Sequence, residues 1–588
     1  MAADGDPSRP RRRRRRRWWP YWLVGGILVL AWLAISAVTL LAARHDANAG
    51  MDLVRQARSS LTPTDLVQGK GADLFAGARR DFARAHDKAG SPWMVPLRIV
   101  PVIGRQVHSI DALTGSAERV VAVGSDAMNA SRRQLDVQVV TGPARVQQVQ
   151  QLGVIAGDSS KKLEHVDLGP SNALIGPLRD ARNKFSGDLD KLRRALSDVN
   201  AASVGLDTVL KGPSRYLVVA ANNAEMRAGS GMWLSAGLLD FSNGRFTMHD
   251  MSPTAELALD PPGVPMGGDL AARWGWSNPN QEWRNLMLSP VLPANAELAA
   301  RMWEANGGPR LDGILVIDPV ALQALLAASG PVNVNGRVID ANNVVQYVLH
   351  DQYAGASFED QAQQQRREQL SGIANAAIAA IDQRGWDAGT LVDQLRNAAQ
   401  GRHVLAWSSN PVEERGWKAA GIDGELPSDS MLVAVLNRGG NKLDQFLAVG
   451  PTIETKATPT GTAVTVKVAM ANFAPVNDAQ YIIGPFPDSN LAPGEYLGIL
   501  SVDVPADAAN VRIDNGAPLV AAGADGNNRV VATYVQLLRG QGRVLTVQFD
   551  LPKGVRQMEI EPSARIPGEK WRDGSDQWVD SGAHVVRW

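Results

Sequence analysis

Three stretches of this chain gather side chains that can bind or orient a ligand. The first reads Asn222-Asn223-Ala224-Glu225-Met226-Arg227-Ala228-Gly229-Ser230-Gly231. Asn223, Glu225 and Arg227 lie close together there, and an arginine fork donates two parallel hydrogen bonds, which suits phosphate or carboxylate. Gly229 and Gly231 would let backbone approach such an anion closely. A plainer reading makes Glu225 and Arg227 an ion pair and leaves the glycines to shape a turn. The second stretch, Gln363-Gln364-Gln365-Arg366-Arg367-Glu368-Gln369, opens an alanine-rich helix. Successive helical residues point about 100° apart, so at most one of Arg366 and Arg367 faces inward, where it would meet Arg227 across a cleft. Solvation of both is the alternative. The third, Asn437-Arg438-Gly439-Gly440-Asn441-Lys442-Leu443-Asp444, follows a strand and offers Asn441, Lys442 and Asp444, or simply a turn. Trp274, Trp276, Trp283 and Trp303 could stack on sugars, although buried or membrane-facing tryptophans are commoner.

No catalytic signature accompanies these stretches. The chain has no Gly-x-Ser-x-Gly elbow, no Walker loop and no His-Glu-x-x-His, and its eight histidines lack ligand spacing. The absence of cysteine removes disulfides, thiolate metal sites and cysteine nucleophiles together. Basic and acidic residues number 60 each, and the first 17 residues hold eight Arg against two Asp, so the remainder carries 52 against 58. A mildly acidic remainder argues against a nucleic-acid ligand. Abundant Ala, Gly, Val and Arg with few Lys points to a high-GC bacterium.

The elements that would position these residues begin with a membrane anchor. Arg11 to Arg17 form an unbroken cationic block, aromatic residues follow at Trp18, Trp19, Tyr21 and Trp22, and no other ionisable side chain occurs up to Ala43. At 1.5 Å per residue that run crosses about 30 Å of hydrocarbon. Flanking arginines keep the N-terminus cytoplasmic and send the bulk of the chain to the extracytoplasmic side of the plasma membrane. A cleaved signal peptide is the rival, but its apolar region would be shorter. The expected organisation is multi-domain: a cytoplasmic tail at 1–17, a transmembrane helix at 18–43, an all-α region of helical hairpins at 44–210, an α/β domain at 211–449 and a β-sandwich at 450–588.

The helical reading rests on apolar stripes such as Leu189, Leu192, Leu196 and Val199, broken at Pro92, Pro96, Pro101 and Gly104. From Tyr216 the pattern changes to a buried-type strand, a polar loop and a second strand. Gly313 to Asp318 is another strand, and Pro319 starts a helix directly after it. Helices are expected from about Asn342 to Tyr353 and from about Asp360 to Gln383, with Met431 to Leu436 as the last strand of the α/β domain. Beyond Gly450 the alternation in Val464 to Val468, Val530 to Leu537 and Val544 to Phe549 predicts the β-sandwich.

Several of these segments together resemble a bacterial envelope family known as domain of unknown function 4012. They are Pro101-Val102-Ile103-Gly104-Arg105-Gln106, the Asn222 to Gly231 loop, Leu311 to Pro319, and Gly439 to Asp444. The order of elements is distantly similar to LytR-CpsA-Psr proteins, which move glycopolymers from a polyprenyl pyrophosphate carrier to the cell wall. Ile317-Asp318 through Val334 resembles their strand, helix and hairpin, and Arg366-Arg367-Glu368-Gln369 their helix start. That resemblance implies that Arg227 with Arg366 or Arg367 holds a pyrophosphate, with a magnesium ion sharing its charge. Two functions are compatible with it. In one, the outer region binds or transfers a polyprenyl-linked envelope glycopolymer; in the other it is a non-catalytic scaffold for cell-wall proteins. The first requires the helical region to fold back so that lipid-linked substrate is within reach.

Overall fold

A computed structural model describes the chain except residues 1–18, 61–64, 66–69, 138, 355–359, 488 and 514–516, and the side chains of 19–27 and 360–371. It divides into two compact units, one made of residues up to 128 with 159–193, the other of 129–158 with 194–588.

The first unit is helical. Helix α1 (Trp19–Ser60) is followed by α2 (Ala72–Ala89), short turns over Pro92–Met94 and Val95–Arg98, and the start of α3 (Pro101–Leu135). From Leu28 onward α1 is long and apolar enough to cross a membrane. Its far end runs antiparallel to α2: Lys88 bonds Asp46 at 2.5 Å, while Gly77 approaches Leu53. Gly50 lets Phe82 lie against the α1 backbone, since a Cβ there would come within 3.1 Å of its ring. Ala78, Phe82, Ala117 and Val121 form the small core. The proline breaks thus produce hairpins, as their spacing predicts.

In the second unit, α4 (Gly142–Glu164) and α5 (Gly176–Lys211) contribute their residues 142–158 and 194–211. Strands β1 (Ser214–Met226), β2 (Gly231–Ser242), β3 (Arg245–Met248), β4 (Ser252–Pro253) and β5 (Gly313–Ile317) follow, with helix α6 (Leu292–Ala305) before β5 and α7 (Pro319–Ser329) after it. A hairpin of β6 (Val332–Val334) and β7 (Arg337–Ile339) precedes α8 (Val344–Leu349), α9 (Asp360–Arg384) and α10 (Ala388–Gln400). Strand β8 (Val404–Ser408) and α11 (Pro411–Ala420) complete this part. The sheet order is β3-β2-β1-β5-β8 with β4 on β2, and it is mixed: β1 runs parallel to β5 and antiparallel to β2.

This sheet is covered on both faces, which explains the unbroken apolar run in β1. Leu217 and Val219 face α6 and the tryptophan-rich segment before it; Val218 faces α7 and α9. Gly205 and Gly416 let α5 and α11 touch backbone to backbone, since a Cβ on either would lie 2.8 Å from the other's Cα. Arg145 of α4 is buried, stacks on Phe246 and Trp386, and bonds Asp382 of α9 at 2.6 Å.

The remaining strands are β9 (Ser430–Asn437), β10 (Leu447–Thr458), β11 (Gly461–Asn472), β12 (Tyr496–Val504), β13 (Ala509–Ile513), β14 (Leu519–Asp525) and β15 (Asn528–Leu537). After them come β16 (Gly542–Pro552), β17 (Gln557–Glu561), β18 (Lys570–Asp573), β19 (Asp576–Val579) and β20 (His584–Arg587). Two six-stranded sheets, β13-β16-β11-β10-β18-β19 and β14-β15-β12-β9-β17-β20, enclose one apolar core. Here one expectation is corrected. β9 is not the last strand of the α/β sheet; it pairs with β12 and β17 inside the second of these sheets. The fifth strand of the α/β sheet is β8, which pairs antiparallel with β5.

Candidate functional site

The polar loop after β1 begins inside the strand itself. Asn222 pairs with Met232 and Met226 with Gly231, so residues 223–225 bulge out with no partner on β2. Such a bulge re-aims side chains that would otherwise alternate across the sheet. Gly231 is required by packing, since a Cβ there would lie 2.3 Å from the Asn222 backbone, and one on Gly229 would meet Met287. The glycines therefore admit neighbouring protein, not ligand.

The bulge sends Asn222 to the Tyr353 hydroxyl at 2.7 Å and Asn223 to Asp318 at 2.9 Å and the Ala564 carbonyl at 2.7 Å. Asp318 caps α7 through Val320 and Ala321 and also accepts from His403 Nδ1 at 2.5 Å. Burial pulls the His403 imidazole down, but the bonded Asp318 and nearby Asp580 outweigh it and hold it above its ordinary value. Asp444 is fully buried and accepts from Met226 N at 3.0 Å and from Asn437, Tyr496 and Arg565 at 2.9 Å each. Asn223, Asn441 and Asp444 thus serve the framework. Asn441 itself donates to the Glu495 carbonyl at 3.0 Å.

Glu225 and Arg227 do not pair with each other. Glu225 accepts from Lys442, whose ammonium also lies over the rings of Tyr353 and Tyr481 at 5.3 and 5.5 Å. Arg227 is buried, and its three bonds all go to carbonyls: Nε to Arg284 at 2.9 Å, Nη1 to Met226 at 2.9 Å and to Asn437 at 2.8 Å. Among the described residues it has no carboxylate partner. Burial, with Arg438 nearby, pulls its guanidinium down to about 9. Arg438 donates to Asn285 at 2.9 Å and stacks on Trp276, likewise without a carboxylate among the described residues, and burial lowers it too. Arg284 is held by Glu282 through two bonds of 2.9 and 2.6 Å.

Glu225, Arg227, Glu282, Arg284, Arg438 and Lys442 line one cleft of about 390 Å³, walled on the apolar side by Met232, Leu234 and Phe486. Four basic groups, Arg227, Arg284, Arg438 and Lys442, face two carboxylates, Glu225 and Glu282, leaving two positive charges in excess while Lys442 is protonated and one when it is not. Burial also pulls Lys442 down to about 7. Charge uncompensated in a partly dry cleft attracts an anion far more strongly than it would in water. Magnesium does not fit here: both carboxylates are engaged by Lys442 and Arg284, and no cluster of three or more metal-ligating side chains occurs among the described residues.

Arg366 and Arg367 lie on α9 with side chains outside the described residues. The companions of Arg227 are Arg438, flagged only as part of its loop, and Arg284, in a turn with no distinguishing motif. Trp274 and Trp283 are core residues bonded to Asp525 and to the Leu257 carbonyl. Trp303 is only partly buried, and Trp276 lies beneath the Arg438 guanidinium.

Residues 211–353 match the family model described as a protein of unknown function (DUF4012). The chain carries a DUF4012 region. That region supplies Glu225, Arg227, Glu282, Arg284 and Tyr353 to the cleft, whereas Asn437, Arg438, Lys442 and Tyr481 come from beyond it. No curated protein matches the chain. No solved structure matches it either.

Proposed function

We propose that the chain is a membrane-anchored protein of the cell envelope whose cleft binds the phosphate-bearing head of an envelope glycopolymer or its polyprenyl carrier. The observation that carries this reading is the pair of arginines, Arg227 and Arg438, that line one cleft and, among the described residues, form no ion pair with a carboxylate. The same ligand class is what the resemblance of the element order to LytR-CpsA-Psr phosphotransferases, read from the sequence alone, would imply, and the cationic block before α1 supports an extracytoplasmic location for the cleft.

An apolar slot shares Leu234 and Ser235 with the cleft, but it holds only about 50 Å³. A volume of that size takes one or two methylene groups, so the described residues favour contact with a head group over burial of a prenyl chain. The small slot also favours a second reading, a scaffold that grips an anionic polymer without turnover.

Titration of inorganic pyrophosphate into the detergent-solubilised full chain tests the binding claim. Arg227→Met and Arg438→Met are each expected to weaken binding about tenfold or more, in line with loss of a charge-assisted hydrogen bond. Wild-type affinity in both folded variants would sink it. Binding with no hydrolysis or transfer of a polyprenyl-linked substrate would select the scaffold.

A further inference from the structure

The geometry points to a second membrane contact: the hairpin tip between α2 and α3, residues 92–104, is embedded in the bilayer beside α1. The segment packs on the apolar part of the spanning helix. Trp32 Nε1 donates to the Trp93 carbonyl at 3.0 Å, and Trp32 and Leu40 lie against Met94, Leu97 and Val107. Trp32 is eleven residues before Ala43, roughly 17 Å along the helix at 1.5 Å per residue. A span running from Tyr21 to Ala43 therefore carries the tip below the outer surface with it.

The outward side of the tip suits lipid. Trp93, Val95, Ile99, Val102 and Ile103 are exposed, Ile99 at 80% and Val102 at 64%, which in water would be an unprotected apolar patch. From Ala89 to Gly104 the sole ionisable side chain is Arg98. Its guanidinium turns to Asp111 at 2.9 Å and the Ala89 carbonyl at 3.3 Å, as a cation near a membrane surface does when its head seeks the polar side.

Part of the tip's backbone is also satisfied within the turn, which lipid favours because it offers no water to bond a free N–H or C=O. Pro92, Pro96 and Pro101 carry no N–H at the three helix starts, where donors would otherwise be free. Val100 N bonds the Leu97 carbonyl at 3.2 Å, and Gly104 N bonds the Val100 carbonyl at 2.7 Å. Closing the turn so tightly needs Gly104, because a Cβ there would lie 2.2 Å from the Arg98 carbonyl oxygen. The occupant of this surface is thus the acyl region of the leaflet at the C-terminal end of the span, continuous with the lipid around α1.

The absence of cysteine makes a direct test available. The full chain carrying Ile99→Cys, Val102→Cys, Val38→Cys or Asn183→Cys is reconstituted in phosphatidylethanolamine–phosphatidylglycerol vesicles. Each variant is labelled with a membrane-impermeant maleimide and normalised to Asn183→Cys, a water-facing position of the same helical unit. Ile99→Cys and Val102→Cys are expected to react more than tenfold more slowly than Asn183→Cys, like Val38→Cys in the span, and to react at the Asn183→Cys rate once the protein is denatured. Spin labels at the two tip positions should be relaxed by oxygen in preference to a water-soluble nickel chelate. Rapid labelling of the tip with Val38→Cys shielded overturns the embedded hairpin and leaves the anchor standing. Rapid labelling of Val38→Cys overturns both.

Discussion

Asp444 offers the sharpest test of how the cleft is built. Replacing it with Asn preserves its shape but removes a fully buried charge that satisfies four donors. Oδ2 accepts from Met226 N and Asn437, and Oδ1 from Tyr496 and Arg565, so the amide nitrogen confronts two of these donors in either orientation. Arg565 is left with only the carbonyls of Val435, Asp444 and Leu447. Burial lowers its guanidinium, and Asp444, with smaller contributions from Tyr496 and Glu569, outweighs this and raises it. An uncompensated buried charge of this kind costs about 3–5 kcal/mol. Asp444→Asn should therefore lower stability by that amount, read as the urea midpoint of the full chain in detergent with an unchanged slope. Adding Arg565→Met removes the stranded cation, and the double variant should recover about 1–2 kcal/mol or more of the loss. A single variant within about 1 kcal/mol of wild type, or a double variant less stable than the single, would refute the assignment of Asp444–Arg565 as the pair that fixes Met226 and hence Arg227.

Three further outcomes follow from the same geometry. Sulfate keeps one charge state across neutral pH, so its affinity for the cleft should fall about tenfold as pH rises through about 7, where Lys442 loses its proton, and Lys442→Gln should flatten that profile. His403 is held above its ordinary value, so its contribution is complete below about pH 6.5 and is lost as pH rises through the folded value; the stability gap between wild type and His403→Gln should narrow toward alkaline pH in denaturation series. Gly416→Val puts side-chain atoms where the Gly205 backbone lies, 2.8 Å from the Cβ position, and should cost about 2 kcal/mol or more by the same urea assay.

Much of the layout was legible because it rests on periodicity and on breaks. The anchor, the proline-marked hairpins, β1, β5 with its Asp318–Pro319 helix start, and the late alternating strands all carry local signals. β9 misled because all eight of its residues are buried. A strand apolar on both faces shows no alternation that could say which sheet it joins. β8 is only five residues long, and no turn motif announces it. In the site, Arg227 stood out by its glycine neighbours, although those glycines accommodate Met287 and the Asn222 backbone. Its true companions were hidden by distance along the chain, since the cleft is assembled from the bulge in β1, the turn at Trp283–Asn285 and the loop after β9. The expectation that Glu225 would neutralise Arg227 failed because the bulge turns Glu225 toward Lys442 instead.

The position of β8 and β9 bears on how such a protein can be cut and recombined. The stretch that matches the family ends at residue 353, yet β5 within it is completed by β8 at 404–408, and its core is closed by Leu432, Leu436 and Ile499 from the second β region. An excised 211–353 fragment would bare a sheet edge and half a core. In this chain the matched stretch is therefore not a portable module; it is one part of a folding unit made of 129–158 with 194–588.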